Sequence, residues 1–78
     1  MMPDVDQELD LLGLKCPLPV LRTRKALKNL APGQRLMVLT SDPVSGIDIP
    51  NLVREEGHIL DSSELHKGHY HFIIRKRD

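Results

Sequence analysis

The chain has no tryptophan, one tyrosine, one phenylalanine and a single cysteine among its 78 residues. Each shortage excludes something. With so few rings there is little to stack on nucleic-acid bases. One cysteine permits neither an intrachain disulfide nor a dithiol redox mechanism, so stability has to come from packing. No apolar run approaches the roughly 20 residues that would cross a membrane. A lone cysteine with no signal-peptide pattern fits a reducing compartment, so a cytoplasmic location is expected. P-loop, GxGxxG and GxSxG patterns are also missing, which removes support for nucleotide binding and serine hydrolysis.

Net charge is missing too, because eleven basic residues balance eleven acidic ones. They are segregated, however. Lys15, Arg22, Arg24, Lys25, Lys28 and Arg35 occupy residues 15–35 with no acid among them. Residues 42–64 carry Asp42, Asp48, Glu55, Glu56, Asp61 and Glu64 against Arg54. Such a dipole suits a protein partner with an acidic surface better than bulk nucleic acid, which calls for net positive charge. Neutrality and the lack of a large apolar stripe beyond the core point to a monomer.

The length is that of one domain with a modest core. Residues 1–8 are polar and aperiodic, as in a flexible N-terminal tail, and residues 9–78 form the domain. Leu9-Asp10-Leu11-Leu12 reads as a short strand closed by Gly13. A first helix is expected over Pro17–Leu30, with Val20, Thr23, Ala26, Leu27 and Leu30 as its core face. Leu21, Arg24 and Lys28 form a stripe at three- and four-residue spacing off that face. Ala31-Pro32-Gly33 ends the helix. Arg35 to Thr40 is nearly all apolar and reads as a central strand. Asp42 is placed to cap the next helix.

That second helix is expected over Val44–Glu56. Pro50 lies inside it, so a shorter helix capped by Asp48 and starting near Ile49 is the alternative. Two strands, His58–Leu65 and His69–Lys76, are joined by a link short enough for a hairpin. The order β-α-β-α-β-β predicts an α/β two-layer sandwich: a four-stranded mixed sheet with two helices packed on one face. His66, His69 and His71 cluster, but no second cysteine or nearby acid completes a zinc shell, so solvated histidines at a sheet edge are expected and no metal.

Cys16 draws the chemistry. It precedes Pro17, at the end of a strand-like run and the start of a helix-like one, so it is expected at or beside the helix N-cap. Free backbone N–H groups and the helix dipole favour an anion there. An ordinary thiol is only about 3% ionised at pH 7; the helix N-terminus and Lys15 are expected to lower its pKa and favour a thiolate or persulfide anion. The alternative is a small apolar residue packed at a strand–helix junction. A cysteine-protease site would need a base and a cleft that nothing in the sequence places. A lone activated thiol fits a carrier that takes a group from one protein and delivers it to another.

The run Leu9 to Val20, with its Leu9-Asp10 lead, Gly13-Leu14-Lys15 and Cys16-Pro17-Leu18-Pro19, closely resembles the signature of the TusA (SirA-like) sulfurtransferase family. The resemblance continues through Ala31-Pro32-Gly33, Asp42-Pro43, Asp48-Ile49-Pro50 and Ile73-Ile74-Arg75-Lys76, covering nearly residues 9–76. It implies a sulfur carrier that accepts persulfide sulfur on Cys16 from a donor such as a cysteine desulfurase. That sulfur passes to an acceptor protein, in the best-known members toward 2-thiouridine in tRNA. It implies no cofactor, and no direct contact with nucleic acid or membrane. Cys16 is then the catalytic residue, with Lys15, Pro17 and Pro19 stabilising the persulfide. Leu21, Arg24, Lys28 and Asp42 are the partner-binding positions. Position 18, often Glu in tRNA-thiolating members, is Leu18, which leaves the final acceptor open. The rival reading is a non-enzymatic RNA- or protein-binding regulatory module of the same small fold.

Overall fold

Alternation along β2 (Arg35–Thr40) sets the architecture. Leu36, Val38 and Thr40 are completely buried, whereas Arg35, Met37 and Leu39 are half-buried. A strand pairs its side chains onto opposite faces, so one face of the sheet is covered and the other lies open. The near-continuous apolar run therefore does not mark a strand covered on both sides. The computed structural model describes residues 5–78.

The elements are β1 (Gln7–Leu11), α1 (Leu18–Lys28), β2, α2 (Ser45–Glu55), β3 (Ile59–His66) and β4 (His69–Arg75). They form a four-stranded mixed sheet in the order β1-β2-β4-β3. β1 is parallel to β2, with Leu9 opposite Val38 and Leu11 opposite Thr40. β4 is antiparallel to both β2 and β3. It thus runs inside the sheet, and its His71 is half-buried beside β2. The hairpin closes through Lys67 and Gly68, both at positive φ (51° and 82°). That is the geometry of a two-residue turn matched to strand twist.

Both helices lie on the covered face. Ala26 and Leu27 of α1, with Leu30 just beyond it, and Ile49 and Val53 of α2 share a core with Leu11, Leu36, Val38, Phe72 and Ile74. The predicted α1 face holds for Thr23, Ala26, Leu27 and Leu30, with Val20 half-buried. α1 starts at Leu18 rather than Pro17, and Pro17 itself is the N-cap.

Helix α2 runs unbroken through Pro50. A proline there removes one intrahelical bond, to the carbonyl of Gly46. Burial of Ile49, Leu52 and Val53 offsets that loss. Asp48 is therefore a first-turn residue of the longer helix and not the cap of a shorter one. β1 begins at Gln7, two residues before the expected strand, so Gln7 and Glu8 belong to the sheet. Residues 1–4 of the expected tail lie outside the described residues.

On the open face, Asp61 holds Arg35 and Arg75 at 3.1 and 2.9 Å. His66 Nε2 lies 2.8 Å from Glu64 Oε2, and its ring meets His71 edge-on at 5.4 Å. No cluster of histidine, cysteine and acidic side chains among the described residues has the geometry to hold a metal ion. No helix among them is long and apolar enough to cross a membrane.

Candidate functional site

Residues 12–17 carry the chain from β1 to α1, and a series of hydrogen bonds shapes this segment. Gly13 turns it at φ 83°, a conformation open to glycine and costly for other residues. The Leu14 N–H returns to the Leu11 carbonyl at 3.1 Å, and the Gly13 N–H donates to Ser41 Oγ at 2.8 Å. The Cys16 N–H donates to Asp42 Oδ2 at 2.8 Å, and the Leu18 N–H to the Lys15 carbonyl at 2.9 Å. The peptide between Cys16 and Pro17 is cis.

Asp42 is itself fixed from below. Its N–H donates to Thr40 Oγ1 at 3.2 Å, and Thr40 Oγ1 lies 3.0 Å from Ser45 Oγ. Its second oxygen, Oδ1, accepts the Val44 N–H at 3.2 Å. Thr40, Asp42 and Ser45 are all buried, and buried polar groups of this kind are stable only when paired. Asp42 therefore tightens the turn entering α2, close to its expected capping role, and simultaneously anchors the cysteine loop. Both of its oxygens are held by backbone N–H groups, so the carboxylate is committed to the shape of this loop.

The thiol of Cys16 is free and exposed. It stands on the divide between two hollows. One, of about 230 Å³, separates α1 from α2 and is walled by Pro17, Val20 and Arg24 on one side and Asp48, Asn51 and Glu55 on the other. The second, of about 360 Å³, lies between the loop and the end of β2, among Gly13, Lys15, Ser41 and Pro43. In the first, Cys16 Sγ is 3.8 Å from Asp48 Oδ2.

These surroundings reverse the expected electrostatics. Desolvation pushes the Cys16 pKa up from its ordinary value, and the neighbouring carboxylates, Asp48 and then Asp42, push it in the same direction. Cys16 sits one residue before the N-cap, and Lys15 lines the second hollow rather than the cleft that holds Asp48. Pro17 borders the sulfur, but Pro19 is completely buried and acts in the core.

The basic stripe divides among three places. Arg24 lines the cleft with Cys16. Leu21 lies on the other flank, in a groove with Leu18, Arg22 and Lys25, and both leucines are exposed. Lys28 sits at the far end of α1 near Glu55, His58 and Lys76. Asp48 beside the sulfur and the buried Thr40–Ser45 pair were not legible as site residues. The sequence signals nearest to them were Asp48-Ile49-Pro50, which the resemblance included without a role, and Ser41-Asp42-Pro43 at the end of a strand, where sites in α/β layers gather.

Residues 7–76 match the family described as Sulfurtransferase TusA. The sulfur carrier protein TusA of Allochromatium vinosum is 44% identical over 75 residues, which cover 96% of this chain and 99% of that one. Among solved structures, a SirA-like protein from Desulfitobacterium hafniense aligns with a TM-score of 0.79 at 27% identity, covering 92% of this chain and 99% of its own. The strand order, the cysteine loop and these relatives lead to one conclusion: the chain belongs to the TusA sulfurtransferase family.

Proposed function

We propose that Cys16 carries persulfide sulfur between proteins in the cytoplasm, loaded by a donor such as a cysteine desulfurase and unloaded by an acceptor protein. The observation that supports this most is the exposed Sγ on a tethered loop, at the common rim of two open hollows. A sulfur so placed is within reach of another protein's thiol.

The chemistry needs two displacements. In loading, Cys16 gives its proton to solvent and the thiolate attacks the outer sulfur of the donor persulfide. A bond from Sγ to that sulfur forms, the donor's S–S bond breaks and the donor leaves as a thiolate. In unloading, a thiol or other nucleophile on the acceptor attacks the outer sulfur, and Cys16 is the leaving thiolate. Neither step needs an oxidant or a cofactor. Delivery toward tRNA thiolation is the best-known destination of such a relay.

Intact mass after incubation with a cysteine desulfurase and cysteine tests the proposal. Wild type gains one sulfur atom, reductant removes it, and Cys16→Ser gains none. A wild-type chain that stays unmodified with several desulfurases overturns this reading.

A further inference from the structure

A carrier that must hold an anionic sulfur has placed a carboxylate against it. Asp48 Oδ2 lies 3.8 Å from Cys16 Sγ. The carboxylate is held in place by the first turn of α2, where the Asp48 N–H donates to the Val44 carbonyl at 3.0 Å and the adjacent Ile49 is completely buried. Among the described residues Asp48 makes no ion pair, and neither does Arg24 across the cleft. The charged groups facing the sulfur are Lys15 on its own loop, Arg24 on α1, Asp42 at the end of β2, and Asp48 and Glu55 on α2. Acids outnumber bases around Cys16, and Asp48, which reaches the sulfur, makes no ion pair among the described residues.

We propose that Asp48 is an electrostatic gate on Cys16. In the free chain it keeps the sulfur protonated and repels anionic sulfur reagents; a docking partner lifts the gate by inserting a cationic side chain into the cleft beside Asp48. The proposal rests on the sulfur-carrier reading, and Asp48 acts as a positioning residue through the field it sets at Cys16. The cleft, at about 230 Å³, is smaller than the roughly 300–1,000 Å³ of a typical small-molecule pocket. It is open and bears a negative wall, which suits one long cationic side chain. The Cys16 pKa is raised first by desolvation and then by Asp48, so the field of Asp48 adds to the upward shift. With a cation against Asp48 the local field reverses, Cys16 ionises, and the loading displacement proceeds. Free polysulfide, itself an anion, lacks the cation and is slowed, so loading favours proteins that dock.

Asp48→Asn in the full chain tests this, with Asp48→Glu as the charge-preserving control and circular dichroism confirming the fold. A like charge at this separation changes an ion's stability by about fivefold in water. Alkylation of Cys16 by iodoacetamide at pH 7 should therefore rise about fivefold in Asp48→Asn, with the pH midpoint moving down. The rate ratio of iodoacetate, an anion, to neutral iodoacetamide should rise by a similar factor. Loading by the desulfurase should move the opposite way, with a KM several-fold higher for the more reactive thiol. An unchanged midpoint and reagent ratio overturns the gate. Desulfurase loading that rises in step with alkylation overturns the cationic partner. Absence of loading in both wild type and variant rejects the carrier reading, while the midpoint and reagent ratio still decide the gate.

Discussion

The carboxylate of Asp42 receives the backbone N–H of Cys16 at 2.8 Å, joining two loops 26 residues apart in the chain. This bond brings the nucleophile's loop to the end of β2, where the second helix begins, and so sets Cys16 against Asp48. Replacing Asp42 by Asn puts an amide donor against one of the two backbone N–H groups its oxygens now serve. The expected loss is about 1–3 kcal/mol. Urea denaturation measures it, as a lower midpoint with an unchanged slope. Circular dichroism would retain the native spectrum in the absence of denaturant.

Gly46 is the second position where the geometry is strict. A Cβ there would lie 2.5 Å from the Tyr70 hydroxyl and 2.6 Å from Cζ. The Tyr70 ring is stacked at 7° beside Phe72, with 5.7 Å between centroids, and Phe72 is completely buried. The ring has little freedom to retreat, so Gly46→Ala should destabilise by about 1–3 kcal/mol through overpacking. Combining it with Tyr70→Ala should recover part of the loss, and a thermal-melt double-mutant cycle would show this coupling.

Charge reversal separates the two basic residues of the first helix. Arg24 borders the sulfur cleft and Lys28 does not. Arg24→Glu should slow loading by a cysteine desulfurase about tenfold, with strong salt dependence, whereas Lys28→Glu should act more weakly. Alkylation of Cys16 by neutral iodoacetamide, followed in parallel, should change less than loading does. Equal slowing of both reactions would count against docking at Arg24.

His58 makes folding stability depend on pH. Its pKa is lowered, first by desolvation and then by Lys76, against an opposing pull from Glu56, with a smaller push from Arg77. Its ring nitrogen Nδ1 accepts the Arg77 N–H at 3.1 Å, which requires the neutral form. A histidine with a depressed folded-state pKa stabilises fully above its unfolded value near pH 6.5. That contribution falls as pH drops from there through the folded pKa, because the unfolded chain binds the proton first. Urea midpoints between pH 7.5 and 5 should decline in wild type and decline less in His58→Gln.

Much of the fold was legible because the hydrophobic periods are clean. Val20 to Leu30 repeats at helical spacing, and Tyr70, Phe72 and Ile74 alternate onto one face. The departures have local causes. Pro50 suggested a broken helix, but the burial of Ile49, Leu52 and Val53 outweighs one lost hydrogen bond. Gln7 and Glu8 looked like tail because both are exposed, yet their backbone pairs with Leu36 and Met37. For the site, Cys16 stood out by its motif. Asp48 did not, since its contact spans 32 residues and depends on how the two helices settle side by side. Desolvation and, after it, that contact turn the cysteine's acidity opposite to the expected direction.

The exposed position of Cys16 on a domain only 16 Å thick has a stereochemical consequence for a carrier. Displacement at a sulfur–sulfur bond is in-line, so the attacking atom arrives opposite the leaving one. The donor's thiolate therefore departs from the side of the outer sulfur that faces away from Sγ. The acceptor's nucleophile must enter along that same line to expel Cys16. Exit path and entry path coincide, and one protein has to vacate before the next can react. A relay of the proposed kind through Cys16 is thus a double displacement with a covalent intermediate, whose initial-rate plots are parallel lines.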